Sequence, residues 1–243
     1  AVIEVANIIG LNMHERERRA PFFGSSFGVG TVILDAVAKG CKKIIIGLGG
    51  SATNDGGMGL LQSLGARLYD MNHKYLSPQA MNLEKIRYID LNRLNKLEGI
   101  ELIAACDVKN RLLGENGATY VFGKQKGFFP NQIKKVDMAM QNYRDQLYRY
   151  THVDIDTFEG GGAAGGIGAV LIGILQAKMM PGIELLMSYS DIEDQIQDCD
   201  LVITGEGQSD RQTMYGKVPA GILKVAKKHD KPMICISGAL GSG

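Results

Sequence analysis

Short apolar runs that alternate with helical patterns constrain the fold of this sequence more than any other feature. The runs are short and are mostly followed by glycine, aspartate or serine, as buried strands are. Segments with apolar residues at three-to-four spacing lie between them, and this alternation predicts an α/β fold with a largely parallel sheet. The predicted strands are residues 43–48, 101–106, 201–204 and 232–237. The predicted helices are residues 30–39, 56–68, 131–150, 168–178 and 218–229.

Composition narrows the class of protein. Hydrophobic residues make up 45% of the chain, charged residues 22%, and the net charge is only +1. We therefore expect neither nucleic acid nor a membrane as a partner. No apolar run approaches the roughly 20 residues that cross a bilayer. The four cysteines lack metal-site spacing, which predicts reduced thiols and, with no signal-peptide pattern, a cytoplasmic location.

A break at residues 179–182 (MMPG) divides the chain. It predicts a first α/β domain over residues 1–183 and a second, partial α/β domain over residues 184–243. The second contains only two predicted strands, and a two-stranded sheet leaves open edges that need cover. Residues 70–99 are polar and irregular, and we expect a loop or excursion there.

The glycine-rich stretch at residues 47–59 (GLGGSATNDGGMG) joins a predicted strand to a predicted helix. Glycine permits positive φ and close approach to the main chain, and a helix N-terminus offers free N–H donors, so the turn predicts anion or phosphate binding. Ser51, Thr53 and Asn54 add side-chain donors, and Asp55 adds a carboxylate. The alternative is that Asn54 or Asp55 merely caps the helix.

Two further stretches place polar side chains just beyond predicted strands. Residues 205–217 (GEGQSDRQTMYGK) carry Glu206, Asp210 and Lys217. Residues 105–117 carry Asp107 and Asn110. Ligands of open α/β sheets bind at the carboxyl ends of strands, but solvated charges and turn formers occur there too.

Two weaker motifs have a structural interpretation that we favour. Residues 160–168 (GGGAAGGIG) could form an anion-binding turn, but close packing of helix and sheet explains the glycines as well. Lys124 and Lys126 could grip phosphate, but lysines on a loop are more often solvated.

Taken together and in this order, the motifs resemble the type-1 glycerate kinase family. The resemblance extends over nearly all 243 residues, but the family's first strand with its Pro-Asp-Ser loop, its Asp-Gly-Gly-Glu-Gly segment and its C-terminal part have no counterpart here. Arg111 and Lys124 stand where the family usually has proline. The motifs that carry the resemblance are residues 25–30 (SSFGVG), 49–57 (GGSATNDGG), 105–110 (ACDVKN), 122–127 (FGKQKG), 160–168 (GGGAAGGIG) and 201–222 (LVITGEGQSDRQTMYGKVPAGI).

The resemblance implies two α/β domains, with residues 1–183 inserted into a Rossmann-like domain of which residues 184–243 are part. It implies transfer of a phosphoryl group from ATP, with Mg²⁺, to glycerate in small organic acid metabolism, with the 2-hydroxyl favoured over the 3-hydroxyl. The oligomeric state stays open, with a homodimer as one option.

Catalytic roles follow from what phosphoryl transfer requires. Asp55 or Asp210 would orient the glycerate hydroxyl, and Lys217 would neutralise phosphate. One or two of Asp55, Asp107 and Asp210 would hold Mg²⁺, with Asp107 and Asp210 preferred. The expected phosphate- or substrate-binding residues are Gly49, Gly50, Ser51, Thr53, Asn54, Gly56, Gly57, Asn110 and Glu206.

Two other interpretations remain. One is a Rossmann-type nucleotide-binding oxidoreductase, although no Gly-x-Gly-x-x-Gly turn is followed by a ribose-binding acid. The other is a kinase fragment that binds its ligands but is catalytically incomplete.

Overall fold

The structure is a computed structural model that describes residues 1–13, 15, 19–94, 97–209 and 218–241. The chain forms two compact units, Ala1–Met179 and Met180–Gly243. The sequence placed the boundary a few residues later, after residue 183. Their assignment as an inserted domain and part of a Rossmann-like domain stays a prediction.

A four-stranded sheet with the order β1-β2-β5-β6 lies at the centre of the first unit. β1 pairs with β2, and β2 with β5, in parallel. The β-branched Ile44 and Ile46 are fully buried on β2, as expected for a strand covered on both faces. Strand β1 was not predicted because three residues carry no readable pattern. The strands are β1 (Val2–Glu4), β2 (Lys43–Gly47), β5 (Glu101–Ala105) and β6 (Lys178–Met180).

Six α-helices of the first unit's described residues pack around this sheet. The pair α2 and α3 approach closely at Gly30, where a Cβ would lie 2.9 Å from the carbonyl oxygen of Leu60. The pattern that predicted one helix over residues 56–68 instead spans a helix and a strand, with Gly65 at a φ of 109° between them. The helices are α1 (Ala6–Ile9), α2 (Phe27–Ala38), α3 (Met58–Ser63), α4 (Ala118–Lys126), α5 (Pro130–Thr151) and α6 (Ile167–Gly173).

The segment that was expected to be irregular, residues 70–99, is partly ordered into regular structure. Strand β3 (Arg67–Tyr69) pairs antiparallel with β4 (Tyr88–Asp90), and a 3-10 helix covers Ala80–Lys85 between them. Polar residues on the exposed face hid these short elements from a pattern search.

One stretch of the described residues, Pro21–Ala38, is apolar and long enough by composition to cross a membrane, with a mean hydropathy of 1.4. It is a 3-10 helix, Pro21–Phe23, followed by the 12-residue α2, which spans only about 18 Å. Val29 and Ile33 of α2 are fully buried in the core of the unit. Of the whole stretch 33% is buried, so one face of α2 packs into the core and the rest is partly or fully exposed.

The second unit has a two-stranded parallel sheet, β7 (Val202–Ser209) with β8 (Met233–Leu240). Its described helices are α7 (Gly182–Ser188), α8 (Ile192–Asp198) and α9 (Val218–Lys228). With parallel sheets in both units, the predicted α/β class is confirmed. The buried core residues are Ile183, Ile196, Val202, Ile222, Val225 and Ala226.

Candidate active site

The loops that follow β2 and β5 form a cavity at one edge of the sheet of the first unit. Gly47 and Ala105 are paired in the register of these parallel strands, so both loops leave the sheet at the same level. The cavity has a volume of about 260 Å³. It is lined by residues 48–51 after β2, residues 105–108 after β5, Phe122, Gln125 and Lys126 of α4, and Ala163 and Ala164.

The first half of the glycine-rich turn faces this cavity. Gly49, Gly50 and Ser51 line it. In the described part of the chain the N–H groups of Gly49 and Gly50 donate to no protein acceptor, whereas the Gly50 carbonyl accepts from Leu11 N–H at 2.8 Å. Two backbone donors are therefore available to an anionic ligand.

The second half of the turn is buried beneath the cavity instead. Thr53, Asn54 and Asp55 are fully buried. Asp55 Oδ2 accepts from Ser26 N at 2.7 Å, Ser26 Oγ at 2.8 Å and Gly59 N at 3.1 Å, and Oδ1 accepts from Gly57 N at 3.2 Å. These bonds occupy the carboxylate and the first amides of the short helix α3. Hydrogen bonds within the protein thus occupy Asn54, Gly56 and Gly57, which were expected to bind an anion.

Close packing against residues 163–166 explains the remaining glycines. Gly56 N–H donates to the Gly165 carbonyl at 2.9 Å, and a Cβ on Gly165 would lie 2.6 Å from the Asn54 Cα. Ala164 takes a φ of 52°, which strains a non-glycine residue. The packing interpretation of residues 160–168 is therefore supported, and the crossing also presents Ala163 and Ala164 to the cavity.

Lys126 is the cation of this cavity, and its side chain is only 2% exposed. Its Nζ donates to the Thr53 carbonyl at 2.6 Å and to Ser51 Oγ at 3.3 Å. Burial lowers its pKa to about 7, although the negative charge of Asp55 opposes the shift. In the described residues Lys126 forms no ion pair, so its charge is held by neutral acceptors alone.

Sequence analysis favoured a solvated Lys126, and the structure contradicts this. Lys124 is exposed as expected. Positions two apart on an α-helix differ by about 200° around the axis, so at most one lysine of a Lys-x-Lys pair on a packed helix can be fully solvated. That spacing, with Gly127 ending the helix, was the available signal.

The cavity contains one carboxylate, Asp107, which was expected to hold Mg²⁺. The neighbouring Cys106 thiol has a pKa raised by burial, so it is neutral at pH 7. Within the described ranges, no group of three or more His, Cys, Asp or Glu side chains could form a metal site by itself. Mg²⁺ commonly takes one or two carboxylates and completes its shell with water and phosphate oxygens, so a single Asp fits a metal that arrives with a nucleotide.

Other predicted site residues lie elsewhere. Asn110 donates through Nδ2 to the Asn116 carbonyl at 2.7 Å and does not line the cavity. Glu206 belongs to the second unit, where its Oε1 accepts from Ser209 Oγ at 2.6 Å. Asp210 and Lys217 lie outside the described residues.

Comparisons with known proteins give a consistent result. The model of the glycerate kinase family matches residues 1–243. Glycerate 2-kinase of Escherichia coli K12 is 44% identical over 241 residues, which are 99% of this chain and 63% of that protein. Glycerate kinase of Halalkalibacterium halodurans is 40% identical over 244 residues, 100% of this chain and 64% of that protein. The chain therefore spans less than two thirds of the length of these curated relatives.

Structural similarity agrees with the sequence comparison. A crystal structure described as glycerate kinase 2 of Salmonella typhimurium LT2 matches with a TM-score of 0.86 at 40% identity. The match covers 100% of this chain and 67% of that chain. Full coverage by the family model, with relatives at 40% and 44% identity, establishes the assignment: this chain belongs to the glycerate kinase family.

Proposed function

We propose that the protein transfers the γ-phosphoryl group of ATP to glycerate. The observation that carries this proposal is the match of the family model to every residue of the chain, supported by relatives named glycerate kinase or glycerate 2-kinase. The cavity at the ends of β2 and β5 supplies the donors, the cation and the carboxylate that such a reaction needs. Nothing in the comparisons favours an oxidoreductase.

The reaction forms one bond and breaks one. A glycerate hydroxyl oxygen attacks the γ-phosphorus, the bond from that phosphorus to the bridging oxygen breaks, ADP leaves with the bond's electron pair, and the hydroxyl proton is released. Because covalent work by the protein is small, catalysis depends on positioning and on charge stabilisation. The free N–H groups of Gly49 and Gly50 suit an anionic oxygen.

Asp107 is the residue that we propose as a ligand of Mg²⁺ delivered with ATP. When bound, Mg²⁺ would neutralise phosphate charge during transfer. Asp210 remains a proposed second ligand and Lys217 a proposed phosphate-neutralising residue, both on the strength of the family resemblance. Glu206 and Asn110 keep their status as proposed substrate-binding residues on the same basis.

Asp55 has a different proposed role from the one first considered. A carboxylate that is fully buried and accepts four hydrogen bonds cannot contact a substrate in this conformation. We therefore propose Asp55 as a positioning residue that holds the glycine-rich turn against Ser26 and α3. Thr53 and Asn54 would act in the same way, and only residues 49–51 of the turn would meet the ligand.

Phosphorus NMR tests the proposed function directly. The full-length protein is incubated with ATP, Mg²⁺ and glycerate, and the product is identified by its chemical shift against authentic 2- and 3-phosphoglycerate. We expect 2-phosphoglycerate and ADP to appear in equal amounts. Hydrolysis of ATP without a phosphorylated acid, or no reaction with an intact fold, would reject the proposal. The cytoplasmic location and the homodimer option stay predictions.

A further inference from the structure

The geometry points to Lys126 as the residue that receives the carboxylate of the acid substrate, a role that rests on the proposed function. From the sequence this lysine was considered only as a possible phosphate contact, and a solvated position was favoured. The inference identifies where the charged end of a small hydroxy acid lies, and it makes Lys126 a determinant of specificity for acids over neutral polyols and amides.

The first step of the argument is the incomplete coordination of the ammonium group. Nζ carries three donors, and the described residues offer it two neutral acceptors, the Thr53 carbonyl and Ser51 Oγ. A buried charge normally has a counter-ion, since desolvation without one is costly. Asp55 lies near enough to influence the lysine but forms no ion pair with it. The third donor is therefore available to an anion in the cavity.

The second step concerns which anion fits. The cavity of about 260 Å³ holds one lysine and one aspartate among its lining residues, and its walls at Leu48, Ala105 and Ala164 are small and apolar. The triphosphate would lie at Asp107, where the Mg²⁺ that arrives with it would offset its charge, which leaves Lys126 for a second, smaller anion. A monoanionic carboxylate matches a single cation, and charge-assisted hydrogen bonds to Lys126 would be strong in this buried setting.

The third step is rigidity. Lys126 lies in the last turn of α4, which ends at Gly127 with a φ of 107°. Its stem is packed in the core, and its ammonium group contacts the loop that Asp55 holds in place. A cation fixed in this way loses little conformational entropy when it binds a ligand.

Kinetics with a neutral analogue test the inference. Glyceramide keeps both hydroxyl groups of glycerate and replaces the carboxylate by an uncharged amide of similar shape. In the full-length protein, Lys126→Met is expected to lower kcat/KM for glycerate by about 100-fold or more, because it removes one partner of a buried charge pair. The variant should change kcat/KM for glyceramide and KM for ATP by less than about threefold, because neither depends on that carboxylate.

Lys124→Met is the matched control, since it removes a solvated lysine from the same helix. It should leave both substrates and the KM for ATP unchanged. Lys126→Gln provides a second test if the methionine variant unfolds, and thermal unfolding monitors both variants. Equal losses for glycerate and glyceramide would overturn the inference, and so would a rise confined to the KM for ATP, which would assign Lys126 to phosphate.

The carboxylate site can be tested even if the proposed kinase activity fails. If the wild-type protein does not phosphorylate glycerate, calorimetry with glycerate and glyceramide still tests the site. Binding of glycerate to wild type that is lost in Lys126→Met and kept in Lys124→Met would support the carboxylate site without the kinase activity. Equal affinity of wild type and Lys126→Met for glycerate, or binding to neither, would overturn it.

Discussion

The parallel strands of the two units differ in how far their side chains are buried. In the first unit, Ile44 and Ile46 of β2 are fully buried. In the second, Ile203, Ile234 and Ile236 of β7 and β8 are 63%, 50% and 64% exposed. Parallel strands are normally covered on both faces. The first unit therefore has a closed core of its own, whereas the second leaves apolar strand surface exposed.

The same contrast extends to polar groups. In the first unit, Asp55, Lys126 and the glycines of two crossing loops are buried and held by hydrogen bonds. In the second, the contacts of Glu193 with Lys228 and His229 lie at the surface. A substitution at a buried polar position of the first unit should therefore cost far more than the equivalent substitution in the second.

Glycine substitutions should give the largest difference between the units. Gly165→Ala places a Cβ against the Thr53 backbone at a φ of 67°, and we expect a loss of more than about 3 kcal/mol in the free energy of unfolding. Gly207→Ala on β7 meets no atom within 4 Å. It should change stability by less than about 1 kcal/mol. Urea unfolding followed by circular dichroism measures both, and similar effects would break the comparison.

Carboxylate-to-amide substitutions should give the second-largest difference in stability between the units. Asp55→Asn turns an amide nitrogen towards backbone N–H donors whichever way the side chain is placed, since both oxygens accept hydrogen bonds. We expect a loss of about 2 kcal/mol or more, because buried donors are left without acceptors. Glu206→Gln changes a half-buried carboxylate whose Oε1 accepts from Ser209 Oγ, and it should lose less than about 1 kcal/mol. A larger loss for Glu206→Gln in urea titrations would reverse the argument.

The pH dependence of the free energy of unfolding tests the burial of Lys126 in the first unit. Its pKa is lowered to about 7 by burial, so between pH 7 and 10.5 the unfolded chain binds more protons than the folded one. The stability of wild type relative to Lys126→Met should therefore rise with pH in this window, by up to about 1.4 kcal/mol per unit. Asp55, Asp107, Cys106 and Arg19 lie around the same cavities and are present in both proteins, so the difference between the two proteins isolates Lys126. If the difference in the free energy of unfolding between wild type and Lys126→Met did not change with pH, the lowered pKa of Lys126 would be contradicted.

The smallest effect is expected at the surface of the second unit. Hydrogen bonds from Lys228 and His229 lower the pKa of the exposed Glu193. The ionised Glu193 carboxylate contributes to the free energy of unfolding at pH values above its pKa in the unfolded chain. This contribution is lost as the pH falls through the lower pKa that Glu193 has in the folded protein. Glu193→Gln should leave the urea midpoint at pH 7 nearly unchanged, because solvent and salt screen such pairs. A clear shift at 0.5 M salt would show a buried contribution.

Sequence patterns predicted the parts of the fold that depend on local chemistry. The β-branched run at β2 and the apolar run at β5 gave both central strands to within one residue. Strand β1 and the β3–β4 pair were missed because three-residue strands show no period. Helix α3 was predicted too long because apolar residues continue past Gly65 into β3.

The sequence identified several residues that line the cavity, but not the buried contacts that hold the glycine-rich turn. The turn at residues 49–51 and Asp107 were identified because they follow strands. The burial of Asp55 depends on Ser26, which is distant in sequence, and the crossing with Gly165 is equally non-local. No pattern in one sequence reports such contacts, so the residues that hold the turn were taken for residues that face the ligand.

An NMR titration of Lys126 is the most direct test of the account. With lysine side chains labelled at Cε in the full-length protein, one resonance should titrate near pH 7, and it should be absent from Lys126→Met. Saturating glycerate should raise that pKa by at least about one unit, because a bound carboxylate stabilises the ammonium form. If no lysine titrates well below its usual range, or if glycerate leaves the titration unmoved, the cavity does not hold the acid in the way described.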